Sequence, residues 1–185
     1  HLRVEVGSLR LRGDLHTEFV TWTSTLHEPA QDSPARRPAS AIDAVPHDWL
    51  GGLPGQCLCS LNLWVFAARG SVGDVRVREL LNEQALVGSS VAGEQAQVFT
   101  DFAIHADGSS RILLFADALQ PRRLGRLVQR ILEIETYRMA ALLGLPAARQ
   151  AGEARGSAEG ELAALAQAIR SAERDAEPAL LDRLT

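Results

Sequence analysis

The stretch that most constrains this chain runs from residue 94 to 145, where a β-hairpin leads into one long helix. The hairpin reads Gln95-Ala-Gln-Val-Phe-Thr-Asp-Phe-Ala-Ile-His105, then a turn, then Ser110-Arg-Ile-Leu-Leu-Phe-Ala116. Asp107-Gly108 suits a two-residue type I′ turn, because both central residues of that turn need φ > 0. Such a turn pairs Ala106 with Ser109, His105 with Ser110 and Ile104 with Arg111. Side chains alternate along a strand, so Val98, Phe102, Ile104, Leu113 and Phe115 are expected on one face, and Phe99, Ala103, Ile112 and Leu114 on the other. Both faces are apolar, which predicts inner strands covered on both sides. Asp101 and His105 fall on the second face as candidate buried polar groups.

The helix carries Leu124, Leu127, Val128, Ile131, Ile134, Leu142 and Leu145 at spacings of three and four, the signature of one buried face. At about 100° per residue, Glu135 and Arg138 point within roughly 40° of Ile131. Three residues apart, they can pair on that face. A charge on a core-facing stripe needs partners, because an isolated buried charge is costly. Asp101, Arg111, His16 and Glu18 are the candidate suppliers, making an interior ion-pair network between helix and sheet.

Around this core the chain predicts an α+β fold: a mostly antiparallel, mixed sheet of five to six strands, one long helix packed on it, and a C-terminal helical extension. Residues 2–13 read as a ragged edge strand, and 15–26 as the strongest strand by β-branched and aromatic content. Residues 28–48 hold Pro29, Pro34, Pro38 and Pro46 and read as a long loop, with a helical turn at His47–Leu50. Residues 57–67 predict a buried strand, 74–84 a short helix capped by Asp74 with Val75, Leu80 and Leu81 inward, and 85–91 a further strand. Pro146 is expected to end or kink the long helix. A connector over 150–160 and a thin helical pattern over 161–184 follow. The domain division is therefore 1–150 and 151–185.

The 185-residue chain is 46% apolar, enough for one core. All 19 basic residues are arginine, and the net charge of −4 argues against the clustered basic footprint of a nucleic-acid binder. No apolar run reaches the ~18–20 residues of a membrane span. Cys57 and Cys59 lie two apart, an arrangement that strains a disulfide along a strand and lacks further soft ligands for a metal. They are expected as buried free thiols in a reducing compartment.

The chain holds no phosphate loop, zinc motif or nucleophile elbow. His16-Thr-Glu18 places an imidazole beside a carboxylate on one strand face, where they could act as a metal pair or as a base with its orienter. The candidate polar residues are thus His16, Glu18, Asp101, His105, Arg111, Glu135 and Arg138. No cofactor or metal is expected.

Three strings carry a resemblance: His16-Thr-Glu-Phe with Thr21-Trp-Thr; Thr100-Asp-Phe with His105-Ala-Asp-Gly and Arg111; and Leu127-Val-Gln-Arg-Ile-Leu-Glu-Ile-Glu-Thr-Tyr-Arg-Met139. Over residues 14–150 the chain resembles a bacterial family of uncharacterised, predicted membrane-anchored proteins. The resemblance implies a soluble N-terminal part whose anchor lies elsewhere, and it transfers no catalytic role. The family tends to carry an aromatic residue after the Asp-Gly turn, where this chain has Ser109-Ser110. The leading expectation is a non-catalytic assembly or interaction domain on the cytoplasmic side of a membrane, meeting a protein partner or itself through the helical extension. Two alternatives stand beside it: a sensor domain laid out like the CorA-type magnesium transporters, and an enzyme using the His/Glu/Asp group.

Overall fold

The computed structural model describes residues 2–27, 38–67, 70–116 and 119–171, with the side chains of 70–72 left aside. The fold is α+β, with two sheets in place of the single one expected. The expected proline loop falls partly outside the described residues, at 28–37, as do Leu180, Leu181 and Leu184 of the extension.

The first sheet is an antiparallel meander of β1 (Leu2–Val6), β2 (Leu9–Leu15) and β3 (Val20–Leu26). The expected edge strand over 2–13 is therefore two strands. Gly7 makes the difference: its φ of +60° opens the two-residue loop that pairs Val6 with Leu9, as a type II′ turn requires. The second strong strand is shorter than its composition suggested, because His16 to Phe19 turn the chain and His16 N–H donates to the Phe19 carbonyl at 2.9 Å. Register sets the faces: Leu2, Val4 and Val6 stand with Leu9, Leu11 and Gly13, and those with Leu26, Ser24 and Trp22. Arg3, Glu5, Arg10, Arg12 and Asp14 share the opposite face with Thr21, Thr23 and Thr25.

After a 3-10 turn at Ala41–Ala44 and the short α1 (His47–Gly51), the second sheet has the order β4-β7-β6-β5. Its strands are β4 (Leu61–Phe66), β5 (Val87–Val91), β6 (Ala96–Thr100) and β7 (Ser110–Ala116), with β4 parallel to β7 and the rest antiparallel. The two ladders share no strand.

The β6–β7 register differs from the expected one. Phe99 pairs with Leu113 and Val98 with Leu114, a shift of odd parity that exchanges the two faces of β6 against β7. The turn accounts for the change of parity. Gly108 N–H donates to the His105 carbonyl at 2.8 Å, His105 N–H donates to the Ser109 carbonyl at 2.9 Å, and Gly108 has φ +75°. That is a three-residue loop with glycine in the left-handed position, a common alternative to the type I′ turn.

Both faces of this sheet are covered, as the continuous apolar run of β7 demands. On one face Phe99, Leu113 and Phe115 pack with Val77, Leu80 and Leu81. Leu80 belongs to α2 (Gly70–Leu80). This helix begins earlier than expected, so Asp74 lies inside it and Val75 is exposed. On the other face Ala96, Leu114 and Ala116 meet Leu124, Leu127, Val128 and Ile131. These four belong to α3, which runs from Pro121 to Ser171 without a break. Pro121 suits its first turn, where the missing N–H is unpaired in any helix.

The chain divides into two compact units, residues 1–132 and 133–185. Within the second unit, α3 continues through Pro146 and the expected connector. An internal proline costs about 3 kcal/mol, and the Ala, Leu, Gln, Glu and Arg around it favour helix strongly enough to carry on. Ile134, Leu142 and Leu145, expected inward, are exposed. Cys57 and Cys59, expected buried, are exposed, because β4 starts only at Leu61.

Candidate functional site

The densest polar cluster lies in the loop from Asp101 to Ser109 between β6 and β7. The Thr100 hydroxyl opens it, donating to the Arg111 carbonyl at 2.9 Å and accepting the Phe102 N–H at 3.2 Å. Asp101 then turns inward with its side chain fully buried. One oxygen accepts the Asn82 N–H at 2.8 Å, and the other accepts the Ala103 N–H at 3.1 Å. His105 Nε2 lies 3.0 Å from the first oxygen, at ion-pair distance but without hydrogen-bond alignment. Burial raises the Asp101 carboxyl pKa, but the two backbone N–H groups and the charge of His105 outweigh it, and the net direction is down.

Asp107 closes the other half. It accepts the Ser109 N–H at 3.0 Å and the Ser109 hydroxyl at 2.7 Å, a local turn typical of this residue type. Its second oxygen takes Arg111 Nη2 at 2.8 Å. The Ser109 hydroxyl, with Arg111 beside it, holds the carboxyl well below the usual carboxylate range. Arg111 is nearly buried and gives Nη1 to the Leu80 carbonyl at 3.0 Å, tying β7 to the end of α2. Its Nε is buried without a hydrogen-bond partner. Asn62 of β4 donates to the Ser109 hydroxyl at 2.9 Å and accepts from the Ser40 hydroxyl. One chain of bonds thus joins the segment before α1, β4, the hairpin loop and α2.

The expected residues form pairs with different partners. Asp101 meets His105, and Arg111 meets Asp107. Glu135 is buried and takes both Nε and Nη2 of Arg138 at 2.8 Å, so these two pair on their helix as their spacing suggested. His16 lies in the β2–β3 turn, where Nε2 is 3.2 Å from the Thr21 hydroxyl and the ring stacks on Phe19 at 4.4 Å. Glu18 is exposed in the same turn, so the strand face expected for His16 and Glu18 does not form. Among the described residues no group of three or more His, Cys, Asp or Glu is placed to hold a metal ion.

Sequence reasoning assigned Asp107 to the turn alone and passed over Asn62, Ser109 and Arg76. Asp107 was findable, since an Asx turn followed by arginine four residues on puts both groups at one loop base. Buried Arg76, bonded to Glu79 at 2.7 Å, had the weaker signal of an ordinary i, i+3 pair. Asn62 and Ser109, 47 residues apart, meet only through the parallel pairing of β4 with β7.

A family model described as "Protein of unknown function (DUF3422)" matches residues 1–185, and the chain belongs to that family. No curated protein and no solved structure matches it.

Proposed function

With membership of an uncharacterised family as the starting point, we propose that this chain is a non-catalytic assembly domain of a membrane-anchored protein, on the cytoplasmic side. The observation that carries the reading is how the loop cluster uses its acid. Both oxygens of Asp101 are occupied by backbone N–H groups, and its side chain is fully buried. A carboxylate held so fixes a loop; a general base needs a lone pair within reach of a substrate proton. Self-association through α3 is the second half of the reading. Ile134, Leu142 and Leu145 recur along one side of that helix and are exposed, the pattern of a helix that meets a partner. The exposed, free thiol of Cys57 suits a reducing compartment. The anchor in this reading lies outside the described residues, none of whose helices is long and apolar enough to cross a membrane.

Sedimentation equilibrium tests the assembly, with Leu142→Glu/Leu145→Glu expected to weaken it while far-UV circular dichroism stays unchanged. Metal analysis and activity screening of the purified chain test the rest. A stoichiometric metal, or a turnover that Asp101→Asn abolishes in folded protein, would sink the non-catalytic reading.

A further inference from the structure

The N-terminal meander separates its residue types completely. Every charged strand residue stands on one face, where Glu5 pairs with Arg10 at 3.2 Å and Arg12 with Asp14 at 2.8 Å. The other face has no charge. Six of its large side chains (Leu2, Val4, Val6, Leu15, Val20 and Trp22) are between 37% and 81% exposed. Together they open an apolar patch on the order of 600 Å², the upper end for the largest patch on a monomer. It is most of the ~800 Å² that each partner gives to a standard interface.

A sheet with one apolar face needs a second layer; Trp49 of α1 meets this face edge-on at Trp22, 5.1 Å away, and the six side chains stay exposed beside that contact. The chemistry of this face narrows what that layer is. With no charged side chain it offers nothing to nucleic acid or to an ionic peptide, and it resembles the charge-depleted core of a homodimer interface. A face without charge also meets its own copy without repulsion. Edge-to-edge joining is disfavoured, because edge strand β1 carries Arg3 and Glu5, a common guard against strand addition. We infer that a second copy of this chain covers the meander, the two apolar faces stacking about a two-fold axis as aligned sheets ~10 Å apart. This interface goes beyond the α3 contact proposed above and stands on the sheet register alone.

The test separates the two surfaces. In full chain carrying Leu142→Glu/Leu145→Glu, which silences α3, sedimentation equilibrium is expected to find a dimer. Adding Val4→Glu/Val20→Glu is expected to weaken that dimer by about a hundredfold or more, since it sets like charges opposite each other. Arg3→Ala, on the opposite face, is expected to leave it unchanged. A monomer already in the α3 variant overturns the sheet interface and leaves the helix contact standing, as does a dimer indifferent to Val4→Glu/Val20→Glu. Should the added glutamates unfold the chain, tryptophan emission of the α3 variant decides. A blue shift that grows with concentration and disappears in Trp22→Phe supports the stacked faces; emission independent of concentration refutes them.

Discussion

Leu113 and Val4 are both apolar residues in the middle of strands, yet Leu113 is fully buried and Val4 is 41% exposed. The strands around them explain it. β7 reads Ile112-Leu-Leu-Phe115 without a polar break, so each face of its sheet must be covered, and α2 and the start of α3 cover one each. β1 and β2 alternate strictly, apart from the Gly7-Ser8 turn, and place their charges on one side. The four-stranded sheet is built around a covering supplied within the chain; the three-stranded one presents a face finished on one side only. Both still use the same local device. Glycine lies opposite an aromatic ring in each, Gly13 with Trp22 and Gly88 with Phe99, and a Cβ at either glycine would come within 2.6 or 2.7 Å of the ring.

Substitutions can break this contrast. Leu113→Ala is expected to cost the most, about 2–5 kcal/mol in urea unfolding, because the emptied site is enclosed on all sides. Loss of under about 1 kcal/mol there would mean that the four-stranded sheet is not the more tightly packed one.

Asp101→Asn should cost about 2–3 kcal/mol at neutral pH, since an amide cannot accept both backbone N–H groups as the carboxylate does. The sign with pH follows from the lowered carboxyl. The folded pKa lies below the unfolded one, so the stabilisation is present above pH ~4 and is lost as pH falls through the folded value. The gap between wild type and Asp101→Asn should therefore narrow in acid. Asp107, lowered in the same direction, maintains part of the acid limb in the variant. A gap that widens below pH ~4 would contradict the assignment.

Gly13→Ala must move the Trp22 ring, which meets Trp49 edge-on at 5.1 Å. About 1–3 kcal/mol is expected for the overpacking, with a change in tryptophan emission that Trp22→Phe removes. The smallest effect sharpens the contrast most. Val4→Ala should change the stability of the single chain by no more than about 0.5 kcal/mol, read in dilute solution where association is absent.

Much of this architecture was legible. The continuous β7 run and the 3–4 spacing of Leu124 to Ile131 placed helix against sheet correctly, because burial on both faces leaves no polar position to mislead. The i, i+3 spacing of Glu135 and Arg138 foretold their pairing. The hairpin register was misread, because Asp107-Gly108 satisfies two turn types and their parity differs by one residue. The extent of α3 was not legible at Pro146, because one unfavourable residue is outweighed there by many favourable ones.

By itself the sequence determined the elements and their amphipathic sides, since alternation and helical spacing are local properties of a chain that must hide apolar surface. Tertiary structure alone decided that there are two sheets, which loop geometry sets the β6–β7 register, and that Asp101 turns toward Asn82 while Arg111 reaches the Leu80 carbonyl. Those outcomes depend on groups 19 to 31 residues apart meeting in space, and a buried charge takes whichever partners the packing brings within hydrogen-bond reach.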